Sequence, residues 1–228
     1  MWWDAGYWLV VGVGALLSIG AQIWVQRAVG RWSRVPTRGG LSGREVAELI
    51  LRVRGVQGVR IEPVAGFLSD HYDPSRRVLR LSPDVYEGRS VAAAGIAAHE
   101  VGHAIQDADG YVPMRLRQKM VPVANVGTQL GLWLTVIGLV LGALQLATVG
   151  VVLFGGFVAF TLVTLPVEFD ASLRAHRALA DSGYFTPEEL AGVRQVLTAA
   201  AATYLAAAAS ALLQLLYWAS LLSGRRDE

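Results

Sequence analysis

VPVANVGTQLGLWLTVIGLVL (residues 121–141) is followed, after Gly142-Ala143-Leu144-Gln145, by LATVGVVLFGGFVAFTLVTLPV (residues 146–167). Neither run holds a charged residue, and each reaches about the twenty residues that a helix needs to cross a hydrocarbon core. The four residues between them leave room only for a tight reversal, so the pair reads as a transmembrane hairpin. Pro122 and Pro166 sit near the ends of the runs, where a missing backbone N–H does least harm.

Two further blocks lie outward of this hairpin. AGYWLVVGVGALLSIGAQIWV (residues 5–25) is a first span, and the alanine-rich run from Ala199 to Leu222 is a fourth. Met1-Trp2-Trp3-Asp4 is acidic where a cleaved signal peptide would be basic, so the first span is expected to be a retained anchor. Trp2, Trp3, Tyr7 and Trp24 flank it as an interfacial aromatic belt, and Arg27, Arg31, Arg34 and Arg38 follow as a stop signal.

Composition points the same way. Of 228 residues, 54% are hydrophobic and only 17% charged, against about a quarter charged in soluble domains. Mean hydropathy is +0.42. The net charge is only +2, and Trp32 alone interleaves the arginine cluster, so no nucleic-acid partner is expected. With no cysteine, disulfides and thiolate ligands are excluded, and a bound metal must take nitrogen and oxygen ligands.

Four spans put residues 27–120 and 168–198 on one side. Fifteen Lys/Arg fall in the first segment and three in the second, 18 of the chain's 20. The positive-inside rule makes that side cytoplasmic and leaves Arg225 and Arg226 outside.

Residues 36–120 form the one sizeable polar region. Ser42-Gly43-Arg44-Glu45 is a capping box; Val46, Leu49, Ile50 and Val53 then recur at helical spacing, and Gly55 can end the helix. Val59–Glu62 and Arg77–Ser82 read as two strands of a short antiparallel hairpin, with turn chemistry at Asp73-Pro74 between them. The edge of such a hairpin could hold an extended peptide by strand addition. Thr186-Pro187-Glu188-Glu189 carries a helix cap, and the helix that it starts is expected to run into the fourth block.

Ser90 can cap, and Gly110 can stop, a buried helix that carries His99-Glu100-Val101-Gly102-His103. Side chains four apart share a helix face, so His99 and His103 can close on one zinc ion with Glu100 beside them as general base. The apolar run around the motif, Val91 to Ile105, is short for a span, so a cytosolic or interfacial helix is expected. A catalytic zinc takes a third protein ligand. Candidates are Glu168, Asp170, His71, His176, Asp107 and Asp109. Glu168 fits best, because it lies on the same side at the start of a helix, where an acid so close to the bilayer core needs a partner. Asp170 could orient a histidine, while His71, Tyr72, His176 and Arg174 could contact the substrate.

Four segments together resemble the YugP-like family of membrane-bound neutral zinc metallopeptidases of bacteria. They are Gly66-Phe67-Leu68-Ser69-Asp70-His71-Tyr72-Asp73-Pro74, Val78-Leu79-Arg80-Leu81-Ser82, Ala97-Ala98-His99-Glu100-Val101-Gly102-His103-Ala104-Ile105-Gln106 and Pro166-Val167-Glu168-Phe169-Asp170-Ala171-Ser172. The resemblance covers nearly the whole chain. It implies a gluzincin-like site with His99, His103 and Glu168 as ligands and Glu100 as base. More distantly the chain is similar to HtpX-type membrane proteases, which place an Asp four residues after the liganding Glu; here that position is Ser172.

The expectation is thus a mainly α integral membrane protein with about four transmembrane helices and a small cytoplasmic α+β zincin-like subdomain. Its parts are an anchor (1–26), a metallopeptidase subdomain (27–120), a transmembrane hairpin (121–167), a cytoplasmic helical segment with the third ligand (168–198), and a fourth transmembrane helix with the tail (199–228). The expected activity is hydrolysis of peptide bonds by a zinc endopeptidase with one Zn2+, facing the cytoplasm from a bacterial inner membrane. Its partners would be the bilayer and peptide or protein substrates, membrane proteins among them. Two rivals stand beside it, a non-enzymatic membrane scaffold with structural zinc and an intramembrane zinc protease.

Overall fold

Asp4 starts the first helix by accepting the Tyr7 amide at 2.9 Å. From there α1 (Ala5–Trp32) runs through the apolar block and on past Arg27 and Arg31. The structure, a computed structural model, describes residues 4–66 and 68–224. Trp2 and Trp3 of the expected aromatic belt, Phe67 of the loop motif, and Arg225 and Arg226 lie outside the described residues. Four helical runs are long and apolar enough to cross a membrane: α1, Val112–Val140, Leu144–Ser182 and Pro187–Gly224. The chain is a mainly α membrane protein with a small sheet, and it divides into two compact units.

One unit comprises residues 23–114 and 167–201. In it α2 (Gly43–Val53) opens on the expected capping box: Ser42 Oγ accepts from the Glu45 amide, and the Glu45 carboxylate accepts from the Ser42 amide. Its buried face is Val46, Ala47, Ile50 and Leu51, one step round from the expected stripe, since Val53 is 50% exposed. Gly55 stops it with a positive φ of 67°.

The sheet has three strands, β1 (Arg60–Pro63), β2 (His71–Asp73) and β3 (Val78–Leu81), in the order β1-β3-β2. This corrects the expected direct pairing of Val59–Glu62 with Arg77–Ser82 as a hairpin. Those segments run parallel, and the antiparallel hairpin joins β2 to β3. The Asp73 carboxylate causes this by accepting the Ser75 and Arg76 amides and tightening the turn at residues 74–77. Val78, Leu79 and Leu81 are fully buried, as the central strand requires, each contributing about 1.5–3 kcal/mol of burial.

After the short α3 (Pro83–Tyr86), α4 (Val91–Ala108) is capped by Ser90 Oγ on the Ala93 amide and ends at Gly110, φ 66°. The last long helices are α7 (Leu144–Ser182) and α8 (Pro187–Gly224), which follow α5 (Val112–Val126) and α6 (Leu132–Val140). No helix starts at Glu168, contrary to expectation; α7 passes straight through Pro166 and Glu168. It stays helical beyond the apolar run because Val167, Ala171, Ala175, Ala178 and Leu179 form a fully buried stripe at helical spacing. α8 begins at the expected cap, Thr186 and Glu189 bonding reciprocally, and Trp32 Nε1 donates to Gln195 Oε1 at 3.1 Å.

The other unit comprises residues 1–22, 115–166 and 202–228. α5 and α6 join through a π-helical turn, Gly127–Gly131, and Pro122 lies inside α5 rather than near a helix end. Gly138 meets the backbone of Ala147 so closely that a Cβ would overlap it, the close approach by which membrane helices associate. Phe154 and Trp218 stack edge to face at 4.9 Å in a core with Leu139, Val151 and Leu222. Large apolar side chains such as Leu9, Leu16 and Val152 point outward at 67–73% exposure, as lipid contact requires.

Candidate metal centre

α4 and α7 touch backbone to backbone. A Cβ on Gly102 would collide with the Ala171 carbonyl, so only glycine fits at this crossing. The contact lies between His99 and His103 on one helix and between Glu168 and Ser172 on the other. Residues one turn apart on each helix therefore face each other across it.

The result is a cluster of three donors. Glu168 Oε2 lies 3.1 Å from His99 Nε2 and 3.6 Å from His103 Nε2. One ligand atom from each of the three residues falls within 4.8 Å of the others. Ligand atoms of a tetrahedral zinc are spaced by about 3.3 Å, given bonds of about 2.0–2.1 Å. Two imidazoles and a carboxylate, with no thiolate, are also the donor set of catalytic zinc. The residues present fit the ion. Glu168 is 2% exposed and His103 7%. Burial alone would push the His103 imidazole down, but Glu168 and Glu100 together hold it above its ordinary value. The same field favours a bound cation.

The second nitrogens of both rings are held as well. Gln106, fully buried, donates through Nε2 to the Val167 carbonyl and to Asp170 Oδ2, both at 2.8 Å. Its Oε1 therefore faces His103 Nδ1, 3.0 Å away, and that nitrogen must carry the proton. His99 Nδ1 meets Ser172 Oγ at 3.2 Å. The Gln106 contact leaves His103 Nε2 free to offer its lone pair to a metal ion, and Ser172 Oγ, when it accepts from His99 Nδ1, leaves His99 Nε2 free to do the same.

Glu100 is 9% exposed and close enough to act electrostatically on both His103 and Asp70. Asp70 accepts the Ser82 amide at 2.7 Å and the Ser82 hydroxyl. Burial pushes its carboxyl above the ordinary range against those donors, and Glu100 adds to the shift.

The remaining sequence candidates lie elsewhere. Asp107 accepts from the Tyr72 hydroxyl at 2.9 Å and so is engaged with β2. Burial and Asp107 push that hydroxyl up to about 12, which keeps it a donor. Asp170 reaches His103 only through Gln106, and it pairs with Arg174, which also holds Asp109 and lies over the Tyr111 ring. His71 is exposed on β2, its Nδ1 donating to the Ser69 carbonyl. His176 is half-buried on α7 and is not in the donor cluster. Of the six third-ligand candidates, Glu168 is the one that joins His99 and His103 among the described residues. Sequence reading passed over Gln106 and Asp70. The signal for Gln106 was its place three residues after His103, on the same helix face.

Comparison with known proteins gives one family. The family described as putative neutral zinc metallopeptidase matches residues 7–223. A Bacillus subtilis (strain 168) protein described as putative membrane protease YugP is 44% identical over 212 residues, covering 93% of this chain and 94% of the relative. No solved structure matches the chain.

Proposed function

Because the chain belongs to the putative neutral zinc metallopeptidase family, we propose that it is a multi-pass membrane zinc endopeptidase, working at the cytoplasmic face of the cell membrane. The observation that carries this reading is the convergence of His99, His103 and Glu168 donor atoms within 4.8 Å in a buried site. These three residues would hold one zinc ion. When bound there, zinc supplies a Lewis acid for the peptide carbonyl and makes a water acidic enough to ionise near neutral pH.

The chain's own residues do the rest. Glu100 takes the proton of the attacking water on its carboxylate and returns it to the leaving amine. Ser172 and Gln106 hold the two rings so that their Nε2 atoms stay available. The crossing at Gly102 keeps Glu168 against both histidines. The cytoplasmic side is supported by the 18 of 20 Lys/Arg in residues 27–120 and 168–198.

Purified full-length protein, loaded with zinc, is expected to cleave an unfolded casein-type substrate. Glu100→Gln should keep stoichiometric zinc and lose activity by about 10²–10⁴-fold, the usual contribution of a general acid–base. Wild-type activity in that variant would sink the mechanism. Glu168→Ala should lose the metal, as measured by plasma emission spectroscopy after gel filtration. Full zinc occupancy in that variant would move the third ligand elsewhere.

A further inference from the structure

Beside the N-terminal turns of α4 lies a cavity of about 560 Å³ that the mechanism leaves unused. Its volume is within the ~300–1,000 Å³ common for ligand sites. Its walls are largely apolar, with Gly30 from α1, Leu68, Val85, and Ala92, Ala93 and Ile96 from α4.

Helix geometry ties the cavity to the metal centre. At about 100° per residue, Ala92, Ile96 and His103 all lie within about 60° of His99, and Ala93 lies within about 20° of Glu100. Ile96 precedes His99 by only about 4.5 Å along the axis and Ala92 by about 10 Å. The α4 residues that line the cavity thus lie on the side of the helix that carries the histidines and Glu100, one to two turns before them. The cavity's polar wall also holds Arg34, Asp84 and Arg89, and makes the same link at Ser82, which binds Asp70, the carboxylate on which Glu100 acts. Leu68 stands at the rim, 38% exposed and with a left-handed backbone (φ 51°) that a leucine rarely adopts.

On the reading of the chain as a zinc endopeptidase, we infer that this cavity receives a large apolar side chain of the peptide substrate, close to the bond that is cut. Leucine- or phenylalanine-bearing peptides are then the preferred substrate class. A lipid acyl chain would find the same apolar walls, but the shared face with His99 and Glu100 and the link through Ser82 and Asp70 favour a peptide.

Gly30 offers a clean test. A Cβ there meets nothing within 4 Å, so Gly30→Phe can fill the cavity without striking the backbone, and it replaces a poor helix former. Full-length zinc-loaded protein in nanodiscs would be assayed on fluorogenic peptides that carry Leu, Phe, Ala or Lys at each position around the cut. Wild type should favour Leu or Phe over Ala at one position by about tenfold or more in kcat/KM, and Gly30→Phe should lower that ratio by about tenfold. Ile96→Ala should move the preference toward the larger ring. Peptide binding to the Glu100→Gln protein, read by fluorescence anisotropy, should weaken by about tenfold when Gly30→Phe is added. Cleavage with no apolar preference, or an unchanged ratio and unchanged binding in Gly30→Phe, overturns the inference and leaves the protease reading intact. Release of a co-purified acyl lipid by Gly30→Phe, with peptide selectivity unchanged, assigns the cavity to lipid and also overturns it. Absence of any zinc-dependent cleavage by wild type overturns both readings.

Discussion

Gln106 braces the cluster of His99, His103 and Glu168 without belonging to it. Its amide is fixed by three bonds, two donated to Val167 and Asp170 on α7 and one accepted from His103 on its own helix. Gln106→Leu would leave the Val167 carbonyl and the His103 Nδ1–H without these partners in a fully buried place, at a cost of about 1–3 kcal/mol for each group. It would also free the imidazole to rotate. Zinc affinity, measured by competition with a chelator, is expected to fall about 10–100-fold. Affinity equal to wild type would show that packing alone orients the ring. At this scale the motif spoke clearly for His99, Glu100 and His103, because their geometry is local to one helix. Glu168 was legible by a different argument, the cost of an acid at the edge of an apolar run. Gln106 was not, since its partners Val167 and Asp170 are 61 and 64 residues away and only the packing of α7 on α4 brings them near.

The element that matters most is the crossing of α4 and α7. Its close approach depends on Gly102, where a methyl group would meet the Ala171 carbonyl. Gly95, on the same helix, is different: its Cβ would lie 3.4 Å from a methyl of Val193, an ordinary contact. Gly102→Ala should therefore destabilise the fold by about 1–3 kcal/mol through overpacking, and should also lose zinc as α7 moves off with Glu168. Gly95→Ala should be neutral or gain up to about 1 kcal/mol from helix propensity and keep its zinc. Thermal midpoints and metal content of the pair decide the matter, and normal zinc in Gly102→Ala would mean that the crossing can widen without disturbing the site. The sequence was a fair guide to where elements lie and a poorer one to how they pair. The capping boxes at Ser42 and Thr186 were readable because each is a local hydrogen-bond pattern. The strand pairing was not, because β2 is only three residues long and its register depends on Asp73 closing the turn. The continuity of α7 was hidden by the habit of ending a span where apolar residues stop. Bilayer thickness sets a minimum length for a spanning helix, and packing of the stripe from Val167 to Leu179 carries the helix on.

At the scale of the whole molecule, what matters is the order of the apolar helices along the chain. Four apolar runs were legible from composition alone, and each is helical in the fold. On the proposed four-span topology two spans lie between residues 27–120 and residues 168–198, so both segments, and with them every residue of the candidate metal centre, would share one side of the membrane. On that proposal charge would choose the side, since those segments hold 18 of the 20 Lys/Arg. The chain contains no cysteine, so single cysteines can be introduced without background. Arg76, in the turn before β3, and Glu188, in the first turn of α8, are exposed and should face the cytoplasm. Gln145, exposed near the reversal between α6 and α7, should face outward. A membrane-impermeant maleimide is expected to label Gln145→Cys in intact cells, and to label Arg76→Cys and Glu188→Cys only after the membrane is permeabilised. The opposite pattern would keep four spans and turn the metal centre to the outside. Labelling of all three from the same side would remove the hairpin at Gly142, and with it the argument that places Glu168 beside His99 and His103 by topology.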